Sequence, residues 1–296
     1  MTTHHTTATL RRALRREVAE TVALLADEED FTTMRQYTTF AFDDHGRYLH
    51  HVEELLRTLA ANGGHTTVAL FDPEEYAEYC TDNGIDPDRS TSRSRYTAER
   101  AATGARVLYT GQSLSTLVPT LIDTAARRAT WEYATMLLTE AGTCPDCGQD
   151  IGRASFDHAS QLLFRLLEAA GTGTHHLVCS IPAEDEQLLA TLRTVRDATG
   201  PARLDRSQGA EFVSVLAAGL ALDTPGGVVL RTTTPGAPDR LHGWRLRGGH
   251  LHPLTEAEVF DAYCTDALTG EPIAPEPHVD YRAGFPLTPP DTAHPH

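Results

Sequence analysis

The sequence predicts an α/β protein with a largely parallel sheet flanked by helices and a small antiparallel hairpin near the C-terminus. Short β-branched runs alternate with longer amphipathic helical patterns along most of the chain. The second half also repeats the order of the first. Because parallel strands need a long crossover, usually a helix, this alternation favours parallel pairing.

The first half supplies the clearest boundaries. Apolar residues at three- and four-residue steps predict a helix over residues 8–27. A strand is predicted at Thr38–Phe42, then a helix that stops at Gly63, then a strand at Thr66–Phe71. Asp72 and Pro73 follow as the N-cap and the first residue of the next helix, and residues 113–139 predict one long helix.

The second half can be aligned with the first. Residues 42–76 and 156–188 both begin with Phe-Asp and continue as a Leu-rich helix, a Gly stop and a His-led strand. This order predicts two related α/β halves, with helix–strand–helix units at 44–84 and 157–198. The alternative is that regular helix–strand alternation alone produces the similarity.

The last third changes character. Residues 240–254 predict a hairpin with Gly248-Gly249 at a two-residue turn, and Thr255 with Glu258 predicts a capping box for the next helix. From Gly270 the chain is rich in proline and is expected to be mostly irregular. We expect an N-terminal half at 1–140, a C-terminal half at 141–269 with the Cys turn and hairpin, and a tail at 270–296.

Composition excludes several classes of function. The net charge is −16, which argues against nucleic acid as a partner, since that binding depends on phosphate neutralisation. All 25 basic residues are Arg, so ordinary P-loop, kinase and Schiff-base sites, which need Lys, are excluded. The N-terminus has no secretory pattern, and no run approaches the roughly 18 apolar residues of a membrane helix. We therefore expect a cytoplasmic protein with no membrane partner.

The sequence Cys144-Pro-Asp-Cys147-Gly predicts a zinc-binding turn, because two thiolates at this spacing converge on one ion. His158 is the expected third ligand and Cys179 the fourth. His176 is discounted as a partner of Cys179, since the two would face opposite sides of a strand. Two chains could instead share one ion through paired turns, forming a homodimer. The same spacing is also compatible with a redox dithiol or with a turn that holds no metal.

Ser113 follows a predicted strand in the sequence Gly-Gln-Ser-Leu-Ser, which resembles the order of a nucleophile elbow. His242, His250, His252 and His278 would be the candidate bases. The favoured interpretation is that Ser113 or Ser115 caps the following helix and that no catalytic residue is present.

Two groups of cations are candidates for binding an anion. Arg245, Arg247, His250 and His252 should share the outer face of the hairpin, opposite Trp244, Leu246 and Leu251. Two Arg side chains there favour a carboxylate or phosphate over a metal cation. Arg89, Arg93, Arg95 and Arg100 lie in the polar stretch after Cys80, which is expected to be a mobile loop or a partly helical insert. Its Arg residues are expected to be solvated or, alternatively, to bind a phosphate or a partner.

These patterns favour a non-catalytic regulatory protein that senses a small anionic ligand or binds a protein partner, with zinc as a structural cofactor. The alternatives are a serine hydrolase or acyltransferase using Ser113, and a zinc-dependent enzyme.

Overall fold

A computed structural model describes residues 20–63, 65–184, 186–198, 200–266 and 269–287. The chain divides into two compact units, an N-terminal unit that ends at Arg128 and a C-terminal unit that begins at Ala129. Across the described residues, every helix is too short or too polar to cross a membrane.

The N-terminal unit contains a small mixed sheet in the order β1-β2-β3. Strand β2 pairs parallel with β1 and antiparallel with β3, with Val68 opposite both Val22 and Val107. The elements are β1 (Glu20–Leu24), α1 (Glu28–Met34), α2 (His45–Ala61), β2 (Thr66–Leu70), α3 (Pro73–Asp82), α4 (Ser90–Thr103), β3 (Val107–Leu108) and α5 (Leu114–Glu140), which continues into the C-terminal unit.

The prediction of a helix over 8–27 is wrong for its last part, since residues 20–24 form a parallel strand beside β2. Residues 8–19 lie outside the described residues. The predicted strand at Thr38–Phe42 is also wrong, because this segment is a loop. Its alternating Phe40 and Phe42 pack on Phe31 and Tyr48 at ring-centroid distances of 5.5 and 5.2 Å. The alternating aromatic residues of this segment are therefore explained by side-chain packing from a loop and not by backbone pairing between strands.

The C-terminal unit is built on a seven-stranded sheet in the order β10-β8-β7-β4-β5-β6, with β9 also paired to β8. Helices α6 and α7 pack on the buried face of this sheet. After α5, the elements are α6 (Ile151–Ala170), β4 (Gly173–Pro182), β5 (Gln187–Arg196), β6 (Arg203–Leu204), α7 (Arg206–Leu222), β7 (Gly226–Thr233), β8 (Asp239–Arg247), β9 (His250–Pro253), α8 (Glu256–Tyr263) and β10 (Val279–Arg282).

The prediction of a largely parallel sheet is therefore wrong. Within the described residues of the large sheet, β10 with β8 is the one parallel pair, and the neighbours β4-β5, β4-β7 and β7-β8 are antiparallel. The segment after β4, predicted as a helix, is strand β5. Leu188, Ala190 and Leu192 are buried on one side of it, while Leu189 and Val195 are exposed on the other. This two-residue period of burial is that of a strand.

The two predicted halves are not related. Strand β2 lies between a parallel and an antiparallel neighbour in the small sheet. Strand β4 lies between two antiparallel neighbours in the large one. The unit at 44–84 is helix–strand–helix, whereas the unit at 157–198 is helix–strand–strand. The shared Phe-Asp, Leu-rich and His-led segments thus have no common topology.

Candidate functional site

A cavity of about 430 Å³ lies in the N-terminal unit, against β1 and between α2 and α4. This volume is within the usual range for small-molecule sites. Among the described residues, its walls are mostly apolar and hydroxyl-bearing, and Arg93 is the one charged side chain that lines it. The lining residues are Thr21, Val22, Ala23, Leu25, Met34, Phe40, Tyr48, Leu55, Phe71, Ser90, Arg93, Ser94 and Thr97.

Helix α2 is fixed to the end of β1 through the backbone of Leu25. The Leu25 N–H donates to the Tyr48 hydroxyl at 3.1 Å, and the Leu25 carbonyl lies 3.1 Å from His45 Nε2. Burial raises the pKa of Tyr48, so its phenol stays protonated. Both backbone groups are thus satisfied, and this wall of the cavity is held by specific bonds.

Helix α4 presents one face to the cavity. Ser90, Arg93, Ser94 and Thr97 follow the i, i+3, i+4, i+7 spacing that places side chains on one side of a helix. Of the two alternatives for this stretch, residues 90–103 form the helix, and these four polar side chains lie along the cavity wall. The helix is anchored by Tyr96, whose hydroxyl donates to Glu75 at 3.0 Å.

Arg93 differs from the other three Arg residues of this segment. Arg89 pairs with Asp86 at 3.3 Å, Arg95 with Glu99 at 3.4 Å and Arg100 with Glu75 at 2.7 Å. Arg93 instead donates from Nη2 to the hydroxyl and carbonyl oxygens of Thr39, at 3.0 and 3.3 Å. Its Nη1 is enclosed and has no hydrogen-bond acceptor among the described residues. The guanidinium thus keeps donor capacity that the cavity wall does not use.

Asp88 holds the other side of Thr39. It accepts from the Thr39 N–H at 2.9 Å and from the Thr38 hydroxyl, and its backbone carbonyl accepts from the Thr39 hydroxyl. These bonds, the Thr38 hydroxyl first, lower the pKa of Asp88. Thr39 therefore ties Arg93 to the segment that precedes α4.

An acidic cluster lies at the carboxyl ends of β1 and β2. Asp27 caps α1, and Asp72 caps α3 through the N–H groups of Glu74 and Glu75. Burial, followed by the charges of Asp27 and Asp72, raises the pKa of Asp30 to about 6. The cluster does not form a metal site: no three such side chains are grouped as ligands anywhere in the described residues.

The Cys turn lies between α5 and α6 as a short hairpin closed by the Thr143–Asp150 bridge. Cys144 N–H donates to the Gln149 carbonyl, and Gly148 N–H to the Cys144 carbonyl, each at 2.8 Å. Backbone N–H groups of Cys147 and Asp146 donate to the Cys144 sulfur, which lowers the pKa of that thiol. Such N–H donation stabilises a thiolate.

The predicted ligands are not brought together. Within the described chain, no group of three His, Cys, Asp or Glu side chains could hold a metal ion, so Cys144, Cys147, His158 and Cys179 do not form one site. Cys179 lies in the core on β4, where burial raises the pKa of its thiol. His158 lies near His250, at a ring-centroid distance of 6.3 Å. Burial, then His250, lowers the pKa of His158.

The hairpin is confirmed, with its register. Gly248 and Gly249 have φ of 56° and 69°, and Arg247 pairs with His250, Leu246 with Leu251 and Arg245 with His252. Leu246 and Leu251 are buried, while Arg245, Arg247 and His252 are exposed. Arg245 pairs with Glu258 at 3.2 Å, and His250 Nδ1 lies 2.6 Å from the Gly248 carbonyl. Binding of an anion to this face stays a prediction.

Ser113 immediately precedes α5, and its carbonyl accepts the N–H groups of Thr116 and Leu117 at 3.1 and 2.9 Å. Its hydroxyl lies 2.7 Å from that of Ser115 and 3.2 Å from that of Thr116. The preceding strand β3 is antiparallel to β2, unlike the parallel strand of a nucleophile elbow. Pro119 is inside the helix. Ser113 therefore lies directly before the helix, but the bonds described for its hydroxyl go to other hydroxyls and not to a backbone N–H of the first turn, so side-chain capping by Ser113 or Ser115 stays a prediction.

The cavity-bearing unit matches a family model. Residues 9–112 match a domain of unknown function, DUF8829. This match includes every lining residue of the cavity and ends before α5. Neither a curated protein nor a solved structure matches the chain.

Sequence reasoning did not separate Arg93 from its three Arg neighbours. Two signals could have done so. Arg89 and Arg95 have Asp86 and Glu99 at local i,i+3 and i,i+4 spacings, and Arg93 shares a helical spacing with Ser90, Ser94 and Thr97. The polar composition of the segment favours a loop, as do Gly84 and Pro87. Both of these residues lie before α4 and do not interrupt it.

Proposed function

We propose that this protein is a non-catalytic, cytoplasmic regulatory protein that binds a small organic anion in the cavity of its N-terminal unit. The observation that carries the proposal is a single cation, Arg93, in an apolar and hydroxyl-lined cavity of about 430 Å³. A ligand with one carboxylate and an apolar body matches that lining.

The charge of the site supports an anion. Arg89, Arg95 and Arg100 form ion pairs with carboxylates. Arg93 donates to the neutral Thr39, interacts with the Asp88 carboxylate through its charge, and keeps Nη1 without a hydrogen-bond acceptor among the described residues. A buried donor without a partner costs about 1–3 kcal/mol, and a ligand acceptor would recover it. Because Nη1 is enclosed, the proposed contact requires a change in the conformation of the Arg93 side chain on binding.

The position in the fold also supports ligand binding. In open α/β sheets, ligands bind beyond the carboxyl ends of parallel strands. The cavity runs along β1 to Leu25, just beyond that strand, and includes Phe71, just beyond β2. Ser90 and Thr97 offer hydroxyls that can donate to a carboxylate, and the Ser94 hydroxyl, which donates to the Ser90 carbonyl at 3.2 Å, can still accept from a ligand hydroxyl.

The test uses benzoate and hexanoate as probes, with benzamide and hexanamide as neutral counterparts of the same shape. Calorimetric titration of the full chain should show that each carboxylate binds more tightly than its amide. A charge-assisted hydrogen bond of about 1.5–3 kcal/mol corresponds to about 10–150-fold. Arg93→Ala should remove that preference, while Arg93→Lys should retain part of it.

Arg95→Ala is the matched control, because Arg95 lies on the same helix but pairs with Glu99 and does not line the cavity. It should leave both affinities unchanged. Equal binding of carboxylates and amides, no binding of either, or an equal effect of Arg93→Ala and Arg95→Ala would refute the proposal.

A further inference from the structure

The Cys144–Cys147 turn presents two cysteine side chains at a spacing at which both thiolates can bind one metal ion. Pro145, Asp146 and Cys147 are exposed, and Cys144 is half-buried. Backbone N–H groups of Asp146 and Cys147 point to the Cys144 sulfur. This arrangement holds two sulfur atoms at one end of a turn closed by the Thr143–Asp150 bridge, where they are accessible from outside.

Two ligands are not enough for a closed structural site. Structural zinc is bound by four ligands in a tetrahedron, commonly four Cys thiolates. The described residues contain no group of three His, Cys, Asp or Glu side chains placed for one ion. In particular, the Cys179 thiol lies within the core of the large sheet. The two remaining ligands must therefore come from elsewhere.

We propose that two copies of this chain bind one Zn²⁺ between their Cys144–Cys147 turns, with four thiolate ligands. An identical turn related by a two-fold axis supplies the missing pair, and such isologous contacts are the commonest in homodimers. The exposed turn leaves room for a second one to approach.

Charge explains why the ion is needed for this contact. Asp146 and Asp150 make each turn acidic, and each chain carries a net charge of −16, so two turns repel each other without a cation. Zn²⁺ binding replaces four S–H bonds by four Zn–S bonds and releases four protons to solvent. No oxidant or reductant takes part. The site is therefore expected to weaken as pH falls.

The experiment measures metal content and mass of the full chain, purified without an affinity tag under reducing conditions. We expect a dimer by light scattering, 0.5 Zn per chain by elemental analysis, and four sulfur neighbours at ~2.3 Å by X-ray absorption. Cys144→Ser with Cys147→Ser should remove the zinc and give a monomer. A chelator should have the same effect on the unmodified chain.

Cys264→Ser is the control, because Cys264 is a buried thiol at the end of α8, away from the turn in sequence. It should retain both the zinc and the dimer. One zinc per monomer, with nitrogen ligands from residues outside the described ranges, would overturn the proposal. So would reduced protein without metal, or a dimer that survives the double substitution. None of these outcomes bears on ligand binding at Arg93.

Discussion

The Trp244 indole donates its Nε1–H to the backbone carbonyl of Phe285 at 3.0 Å, and the two rings meet edge to face at 4.8 Å. The proline-rich tail is thereby joined to the large sheet. His242 reinforces the contact, with its Nδ1 2.8 Å from the Ala283 carbonyl. The segment predicted as an irregular tail therefore packs on the core of the C-terminal unit and adds the parallel strand β10.

Phe285→Ala should destabilise the C-terminal unit by about 2 kcal/mol, because it removes a partly buried ring and its aromatic contact. Both Trp residues belong to this unit, so urea unfolding followed by Trp fluorescence reports on it. Phe164→Ala is the control, since Phe164 is 64% exposed and should cost less than about 0.5 kcal/mol. Equal effects of the two variants would show that the Phe285 contact is not formed.

Gly248→Ala should destabilise the hairpin by about 1 kcal/mol, because Gly248 has a φ of 56°, where a Cβ is strained. Gly209→Ala is the matched control. Gly209 lies in α7, and an added Cβ there meets no atom within 4 Å. That change should stabilise the protein by roughly 0.5–1 kcal/mol. Thermal unfolding measures both, and a stabilising effect of Gly248→Ala would contradict the observed turn.

Asp30→Asn should stabilise the protein at pH 8 but not at pH 4. Burial raises the pKa of Asp30 from its ordinary value of 3.8 to about 6. Between pH 3.8 and about 6, the Asp30 carboxyl is therefore protonated in the folded state and ionised in the unfolded state. Stability falls as pH rises through this window, and the penalty is complete above it. Carboxyl NMR titration would refute this explanation if Asp30 titrated near 3.8.

A fluorophosphonate probe should not label the native protein. The Ser113 hydroxyl makes its described hydrogen bonds with the hydroxyls of Ser115 and Thr116, and no general base is among these partners. Mass spectrometry of the intact chain measures labelling. Stoichiometric modification that is lost in Ser113→Ala and retained in Ser115→Ala would instead favour the serine hydrolase.

Local signals in the sequence determined much of the secondary structure. Asp72 caps α3, and Thr255 with Glu258 forms the predicted capping box at α8. The Gly248-Gly249 turn fixes the register of β8 with β9. These features depend on a few neighbouring residues, because a cap or a two-residue turn satisfies its own backbone groups.

Tertiary structure decided what the sequence left ambiguous. Residues 20–24 combine a helical spacing with β-branched residues, and pairing with β2 makes them a strand. Whether two strands of the large sheet pair parallel or antiparallel depends on residues far apart in the sequence. For example, β4 pairs antiparallel with β7, and no local pattern specifies this pairing. Arg89 and Arg95 pair locally, with Asp86 and Glu99 three and four residues away, whereas the Glu75 partner of Arg100 comes from α3. Arg93 faces the cavity only in the folded chain. Its hydrogen-bond partner, Thr39, lies 54 residues away in the sequence and is brought to it by tertiary packing.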